Sequence, residues 1–359
     1  MLRSRGHDVL LVELPNPEGF LSTLGSLAVS PFNPLTYVRT KESISDFAPD
    51  IVHVHNTWFS LSTSVIAAAR TTNTPVVTTI QNYRTVCPQA HLYRDGAPCT
   101  DCVGGWPRPG VKYRCYRGSS VLSALVGVST SVSNQLGIWK YIAGVHVPSD
   151  FAKSMLIRGV FASEQVVSFP NAVEDPFPRP RDPSESPEVV FVGRLSPEKG
   201  LDLVLRSWDR VHPNALTLTV IGDGPAGHEL RELAGPGVTF LGRVPPEQVI
   251  GRLLGARALL FPSRWFEVCP MVIVEALASG LPVFGHDLGA TAELLDHSGP
   301  DVLVDPSDPS SWDRTIEKLR DDALMDRLGR QARSAYLARH TLDTWHEEHL
   351  KMYLSAVST

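Results

Sequence analysis

Apolar runs of four to six residues alternate with longer helix-like segments in both halves of the 359-residue chain. This alternation is typical of parallel sheets built from strand-helix-strand units, and it predicts an α/β fold with two doubly wound, Rossmann-like domains. The first half has five strand candidates: Asp8–Glu13, Asp50–His55, Pro75–Ile80, Gly144–Pro148 and Gln165–Pro170. The second half has six: Glu188–Val192, Leu216–Gly222, Val238–Leu241, Ala258–Pro262, Pro282–Gly285 and Asp301–Val304.

A proline-rich segment separates the two halves. Residues 174–187 read EDPFPRPRDPSESP and contain five prolines, too many for packed secondary structure. We therefore expect an N-terminal domain over 1–173, a linker over 174–187, a C-terminal domain over 188–335 and a C-terminal helix over 336–359 that crosses back to the first domain. Two such domains would face each other across a cleft at the carboxyl ends of their strands, where small ligands bind.

Composition and charge argue against several classes of function. The chain has 33 Lys and Arg against 38 Asp and Glu, a net charge of −5, which disfavours nucleic acid as a partner. It has no uninterrupted run of about 18 apolar residues, and its first residues lack the apolar region of a secretory signal. We expect a cytoplasmic protein with reduced thiols, for which peripheral contact with the inner face of the membrane stays open.

The second half opens with a pattern that suits an anion. A buried strand runs into Gly193, which permits close backbone approach, and into Arg194, whose planar guanidinium fits two phosphate oxygens. Lys199 adds a point charge near the partly positive start of the next helix. Two cations match the roughly two negative charges of a diphosphate, whereas the alternative interpretation is a solvated loop.

Two glutamates mark a second candidate site. Glu267 lies in the loop after a strand, and Glu275 lies inside the helix that Pro270 is well suited to begin. A carboxylate accepts two hydrogen bonds from a vicinal diol, which suits Glu275 to a ribose and Glu267 to hexose hydroxyls. The alternative is a capping Glu267 and a surface Glu275, but apolar neighbours make an unpartnered charge at Glu275 costly.

Several motifs together resemble family 4 of the retaining glycosyltransferases. In the second half they are GRLSPEKG, the two glutamates with seven residues between them, IGDGP at Ile221–Pro225 and LGATAELL at Leu288–Leu295. In the first half they are HVHNTWF at His53–Phe59, VPSDFAKSML at Val147–Leu156 and FPNAVE at Phe169–Glu174. The resemblance implies the GT-B arrangement, a UDP- or GDP-sugar donor, and retention at the anomeric carbon without a catalytic metal or other cofactor.

The resemblance also implies roles for individual residues. Arg194 and Lys199 match the pair that stabilises the diphosphate, Glu267 the glutamate that binds the sugar, and Glu275 the glutamate that binds the ribose. The remaining donor-binding positions are Gly193, Gly222, Gly224, Arg243, Cys269, Pro270 and Met271. For the Gly222–Pro225 turn and Arg243, the alternative is a plain strand-ending turn. The expected activity is hexosyl transfer to a glycan or lipid-linked acceptor in envelope or extracellular polysaccharide biosynthesis. The alternative is a catalytically inactive nucleotide-sugar-binding partner in a polysaccharide assembly complex.

Two features depart from the family pattern. The first residues resemble the end of the family's first helix, so the N-terminal domain is expected to lack its first strand and glycine-rich turn. Relatives often place a histidine after the strand that ends at Ile80, where this chain has Gln81 beside Asn82. We expect Gln81 and Asn82 on the acceptor or sugar side, with plain loop residues as the alternative.

Four cysteines lie close together in a Gly- and Pro-rich insertion at about 87–118. Cys87, Cys99, Cys102 and Cys115 form a C-x₁₁-C-x₂-C-x₁₂-C pattern. In a reducing compartment this spacing predicts a structural zinc site, and free thiols or redox-linked pairs are the alternatives.

Overall fold

The computed structural model describes residues 2–13, 32–55, 61–175, 182–211 and 215–358. Contacts divide the chain into two units. Unit 1 comprises Met1–Arg94, Cys99–Phe169 and His346–Thr359, and unit 2 comprises Asp95–Pro98 and Pro170–Trp345. Within the described ranges, no helix combines the length and the apolar character needed to cross a bilayer.

Unit 1 is built on a four-stranded parallel sheet. The strands of the first half of the chain are β1 (Val52–Val54), β2 (Val76–Thr79), β3 (Tyr93–Arg94), β4 (Ala97–Pro98), β5 (Ile142–Val147) and β6 (Val166–Ser168). The main sheet has the order β1-β2-β5-β6, and β3 with β4 forms a separate two-stranded sheet. The helices that accompany these strands are Pro34–Phe47, Ser64–Thr71, Arg108–Lys112, Ser120–Gln135 and Asp150–Gly159.

Polar side chains fix where the helices of unit 1 begin. Asn33 Oδ1 accepts hydrogen bonds from the amides of Leu35 and Thr36, and Pro34 occupies the first helical position, where no amide hydrogen is needed. Ser149 caps the helix Asp150–Gly159 through the amide of Ala152. These local signals are present in the sequence itself.

Unit 2 is built on a six-stranded parallel sheet of order β12-β11-β10-β7-β8-β9. Its strands are β7 (Glu188–Val192), β8 (Thr217–Ile221), β9 (Val238–Gly242), β10 (Ala258–Phe261), β11 (Val283–His286) and β12 (Leu303–Val304). Its helices are Leu201–Val211, Gly227–Leu233, Pro246–Gly255, Met271–Ala278, Ala290–Leu295, Ser311–Lys318 and Asp322–Arg339. The central strands β7 and β10 are almost wholly buried, because helices cover both faces of a parallel sheet.

The strand predictions are confirmed except at Asp8–Glu13. That segment has no regular structure, and Leu11 is 66% exposed. A strand is stable only when a neighbour satisfies its backbone groups, and no described strand pairs with this segment. The motif HVHNTWF was expected to continue past His55, but residues 56–60 lie outside the described ranges.

Two expected boundaries also need correction. Tyr336 lies within the helix Asp322–Arg339, where it is buried in the core of unit 2, and a separate last helix spans Leu342–Val357. The described parts of the expected linker belong to unit 2. Asp175 forms an ion pair with Arg333 at 2.6 Å, and Pro183 is buried, so both described parts of the segment contact unit 2. Residues 176–181 lie outside the described ranges.

Candidate active site

Two glycine turns of unit 2 meet where β7 and β8 end. Gly222 has φ of 137°, and a Cβ added there would lie 1.9 Å from the carbonyl oxygen of Gly193. A Cβ at Gly224 would lie 2.4 Å from the carbonyl oxygen of Leu195. Backbone hydrogen bonds join the turns, including one of 3.0 Å from the amide of Gly193 to the carbonyl of Ile221. Only glycine lets the two backbones approach this closely.

A third glycine brings Lys199 to the loop that follows β10. Lys199 ends the short 3₁₀ helix Pro197–Lys199, and Gly200 has φ of 68°. A Cβ at Gly200 would lie 2.1 Å from the carbonyl oxygen of Pro262. The amide of Arg264 donates to the carbonyl of Glu198 at 2.8 Å, so the two loops are joined directly. The backbone therefore determines which side chains of the two loops can meet.

Lys199 and Glu267 form a close ion pair between these loops. Lys199 Nζ donates to Glu267 Oε1 at 2.6 Å, and Ser263 Oγ donates to the same oxygen at 2.8 Å. Glu267 is only 8% exposed. Lys199 Nζ also lies 5.1 Å from the centre of the Trp265 ring. A nearly buried carboxylate that accepts two hydrogen bonds has a fixed position, which is what binding a sugar hydroxyl requires.

The two candidate arginines are exposed to solvent. Arg194 follows Gly193 at the end of β7, and Arg243 follows β9. Neither guanidinium forms an ion pair within the part of the chain that the structure describes. An exposed guanidinium beside a glycine turn is accessible to the oxygens of a phosphate.

Glu275 lies one turn inside the helix Met271–Ala278 and is half-buried. Burial raises the pKa of its carboxyl group above the ordinary range. No hydrogen-bond donor to this carboxylate is found among the described residues. A ribose diol would supply two such donors, so the position suits the role that the family resemblance implies.

The start of the same helix carries the other donor-binding candidates. Pro270 precedes the helix and offers no side-chain cap, while its carbonyl accepts from the amide of Ile273 at 3.0 Å. The amides of Met271 and Val272 are therefore the ones at the helix start that a ligand can contact. Burial raises the pKa of the Cys269 thiol to about 11, which keeps the thiol neutral. Met271 is 37% exposed, and its sulfur accepts a hydrogen bond from the side-chain amide of Asn171 at 3.5 Å.

Unit 1 contains a cavity of about 710 Å³, including open solvent, at the carboxyl ends of β1 and β2. Gln81 and Asn82 both line it. Asn82 Oδ1 accepts a hydrogen bond from the amide of Arg84 at 2.9 Å, so this side chain stabilises its own turn, whereas Gln81 is exposed. The lining consists mainly of uncharged polar and apolar groups, among them Thr130, Ser133, Asn134 and Trp139. Such a lining suits a hydroxyl-rich molecule.

A chain of hydrogen bonds joins the sheet of unit 1 to the last helix. Tyr353 Oη contacts His53 Nδ1 at 2.6 Å, His53 Nε2 contacts Thr79 Oγ1 at 2.8 Å, and Thr79 Oγ1 contacts His146 Nδ1 at 3.2 Å. His146 Nε2 then meets the carbonyl oxygen of Phe169 at 2.8 Å. That carbonyl can only accept, so each group in the chain donates toward it from Tyr353 onward. Both histidines therefore fit in their neutral form.

Burial explains why these histidines are neutral. It is the main cause that lowers the pKa of His53 to about 2 and that of His146 to about 3. Neighbouring histidines contribute to the lowering of both pKa values, and the hydrogen bond to the Phe169 carbonyl opposes it at His146. The contacts support the structural role that is usual for a histidine at the end of a strand.

Four cysteines between residues 87 and 115 line one cavity in unit 1. Cys87, Cys99, Cys102 and Cys115 all contribute to it. Burial raises the pKa of the Cys102 thiol to about 11, while the backbone amide of Gly110 donates to its sulfur. Among the described residues, no group of three or more His, Cys, Asp or Glu side chains already has metal-binding geometry. The zinc site therefore stays a prediction, as do free thiols and redox-linked pairs.

Two Rossmann-like units with parallel sheets and these glycine turns have the GT-B fold of glycosyltransferases. Residues 186–322 match the family model described as "Glycosyl transferases group 1". This segment includes Arg194, Lys199, Glu267 and Glu275. The match therefore covers the loops in which the Lys199–Glu267 ion pair lies.

Relatives and solved structures are similar to parts of the chain. A D-inositol 3-phosphate glycosyltransferase of Corynebacterium kroppenstedtii is 31% identical over 39% of this chain and 34% of its own length. A GDP-mannose-dependent alpha-mannosyltransferase of Corynebacterium glutamicum is 31% identical over 35% of this chain and 30% of its own. The chain spans less than half the length of the first curated relatives it matches.

The structural matches cover more of the chain. Anabaena Alr3699/HepE, solved in complex with UDP, has a TM-score of 0.66 and 17% identity, and the match covers 91% of this chain and 84% of that one. Sucrose-phosphate synthase from Thermosynechococcus elongatus has a TM-score of 0.63 and 18% identity over 89% of this chain and 77% of that one. At such identities the likeness shows a shared fold.

Sequence reasoning missed Ser263, the second donor to Glu267. Its position directly after Pro262 could have identified it, because polar side chains at the carboxyl ends of parallel strands converge on ligands. It also missed His286 at the end of β11, which contacts the Ser263 carbonyl at 3.0 Å.

Proposed function

We propose that the protein is a retaining glycosyltransferase of family 4 that uses a UDP- or GDP-sugar. The acceptor is a hydroxyl of a glycan or a lipid-linked molecule, in envelope or extracellular polysaccharide biosynthesis. The 2.6 Å ion pair of Lys199 and Glu267 carries the proposal, because it brings together the two residues to which the family resemblance assigns the diphosphate and the sugar. The UDP-bound structural neighbour and the GDP-mannose-dependent relative support both choices of nucleotide.

In this proposal the protein acts by stabilising the leaving group. The bond between the anomeric carbon and the diphosphate oxygen breaks, and negative charge develops on that oxygen. Arg194 and Lys199 neutralise the charge, while Glu267 binds a sugar hydroxyl and Glu275 binds the ribose diol. The acceptor oxygen bonds to the anomeric carbon on the same face, and its proton passes to the departing phosphate. The sugar is then transferred with retention.

The cavity of unit 1 supports an uncharged polyhydroxyl acceptor. Its lining offers amide and hydroxyl groups, and the indole of Trp139 adds an apolar surface for the face of a sugar ring. Gln81 stays a candidate contact on this side. A cytoplasmic location, with contact at the inner face of the membrane, belongs to the same proposal because lipid-linked acceptors are found there.

A donor screen tests the proposal. UDP-glucose, UDP-N-acetylglucosamine and GDP-mannose are offered in turn, and nucleotide release is measured together with thermal stability. A donor at about 100 times its dissociation constant should stabilise the protein by about 2.7 kcal/mol. Stabilisation with slow release of UDP or GDP supports a transferase. Stabilisation without release favours the inactive nucleotide-sugar-binding partner.

With the donor that gives release, Arg194→Ala and Lys199→Ala should each lower turnover by about 100-fold or more, because each removes a charge that stabilises the leaving group. Arg206→Ala removes an exposed cation elsewhere in unit 2 and should leave the rate unchanged. Near-wild-type rates in both site variants would contradict the assignment.

A further inference from the structure

Ser263 contacts the Glu267 carboxylate directly. Its hydroxyl donates to Glu267 Oε1 at 2.8 Å, the same oxygen that accepts from Lys199. Ser263 is 2% exposed, so its side chain has little freedom to leave this position. Two donors on one carboxylate oxygen fix both its position and its orientation.

Ser263 is itself held by a buried histidine. The carbonyl oxygen of Ser263 lies 3.0 Å from His286 Nδ1, and the indole nitrogen of Trp312 donates to His286 Nε2 at 2.9 Å. An indole N–H can only donate, so Nε2 of His286 must be an acceptor. The proton of the neutral ring is therefore on Nδ1, from which it is donated to Ser263.

The neutral ring of His286 is the form that satisfies both contacts. Burial lowers the pKa of His286, and the positive charge of Arg264 lowers it further, while the Ser263 carbonyl and Asp305 act in the opposite direction. A second proton, on Nε2, would point at the indole N–H of Trp312. Because His286 and Trp312 are both almost wholly buried, water does not replace the lost contact.

We infer that Trp312, His286 and Ser263 form a positioning relay, which holds Glu267 in the orientation needed for the transfer reaction. The three residues do not bind substrate in this inference; they act through Glu267. The inference rests on the proposed function and names the residues that position Glu267 for it. Trp312 and Ser263 are 49 positions apart in sequence, and the ends of β10 and β11 together with the helix Ser311–Lys318 bring them to the same histidine.

Measurements of kcat and KM for single substitutions at these residues test the relay. With UDP-glucose or GDP-mannose as the probe, Ser263→Ala should lower kcat by about 10-fold, the scale of one hydrogen bond to a charged group, and His286→Leu by roughly 5-fold, the scale of one hydrogen bond between neutral groups. KM should change less than kcat. His286→Asn keeps a donor for the Ser263 carbonyl and should recover part of the loss. Trp208→Phe, which alters an equally buried indole in the same core, should keep the wild-type kcat.

The dependence of kcat on pH gives a second test, because a general loss of stability would not shift its acid limb. Trp312→Phe removes the indole N–H that points at Nε2 of His286. A proton on Nε2 then no longer faces another hydrogen-bond donor. The pKa of His286 rises, and the acid limb of the pH–kcat profile should move to higher pH. The Trp208→Phe profile should not move. An unshifted profile in Trp312→Phe, or wild-type kcat in both Ser263→Ala and His286→Leu, would overturn the relay.

Two measurements separate this inference from the proposed function. Nitrogen-15 NMR of the histidine rings, assigned with His286→Asn, should show the Nδ1–H form for His286 at neutral pH. A crystal structure of Ser263→Ala should show Glu267 turned away from its wild-type position. The Nε2–H form, or an unmoved Glu267, would overturn the relay whatever the activity. If the wild-type chain cleaves none of the tested donors, the proposed function fails while these two results still decide the relay.

Discussion

The glycine turns between Pro170 and Trp345 and the cysteine segment, residues 87–118, reach the left-handed backbone region in different ways. From Pro170 to Trp345, every described residue with positive φ is a glycine. Between residues 90 and 117, five residues other than glycine have positive φ: Ala90, Leu92, Asp95, Arg114 and Arg117. A side chain in this region costs roughly 1–2 kcal/mol, whereas glycine avoids the cost.

The difference shows where each region obtains its stability. The unit 2 turns are specified locally, since Gly193, Gly222 and Gly224 permit the contacts that define them. The cysteine segment persists because its surroundings hold it. Leu92 is 1% exposed, and its carbonyl accepts a hydrogen bond of 2.7 Å from the amide of Cys99. Tertiary contacts or a bound metal must therefore offset its backbone strain.

Metal removal is the strongest test of how the cysteine segment is held. A structural zinc site predicts about one zinc per chain and a fall in Tm of roughly 10 °C or more on chelation, because such sites contribute several kcal/mol to folding. Metal analysis and thermal unfolding with and without chelator provide the measurement. Cys269→Ser, outside the segment, should keep the metal, and a preparation without zinc would contradict the site.

Gly222→Ala tests the local specification of the unit 2 turns. The new Cβ would lie 1.9 Å from a carbonyl oxygen, at a φ of 137° that side chains avoid. We expect the free energy of unfolding to fall by roughly 3–4 kcal/mol. Gly251→Ala is the matched control, because Gly251 lies inside a helix with open space and should gain about 0.5–1 kcal/mol. A loss below about 1 kcal/mol in Gly222→Ala would show that the turn adapts.

Acid should weaken unit 1 through its neutral histidines. The folded-state pKa values of about 2 for His53 and about 3 for His146 lie below the ordinary value of 6.5, so the unfolded chain binds more protons below pH 6.5. Stability is thus lost as pH falls from 6.5 toward these values, by about 2 kcal/mol per histidine at pH 5. Urea unfolding at several pH values measures the slope.

His146→Gln should make the acid slope shallower by about 1.4 kcal/mol per pH unit below pH 6, because one proton-binding group of the unfolded state is removed. His228→Gln changes an exposed histidine of unit 2 and should leave the slope unaltered. Equal slopes for His146→Gln and the wild type would show that His146 is not held neutral.

Arg114→Gly has the smallest expected effect. Arg114 is exposed and has φ of 52°, so glycine should stabilise the chain by about 1 kcal/mol. Arg108→Gly, in the helix Arg108–Lys112, should instead destabilise by about 1 kcal/mol. If both changes destabilise equally, backbone strain in the segment is not relieved by glycine.

The sequence by itself predicted the described strands of both main sheets and the residue types of the candidate site. The strand at Glu188–Val192 and the turn after it follow from a short apolar run and its glycine. The expected strand at Asp8–Glu13 was wrong, since its apolar residues satisfy a local pattern but strand formation needs a partner.

Only the tertiary structure decided which side chains meet. Lys199 and Glu267 are 68 positions apart, and their contact depends on the close approach of Gly200 to Pro262. Ser263, His286 and Trp312 come from three different elements, and no sequence period relates them. Local propensity acts over a few residues, whereas these contacts follow from the order in which parallel strands pair in the sheet.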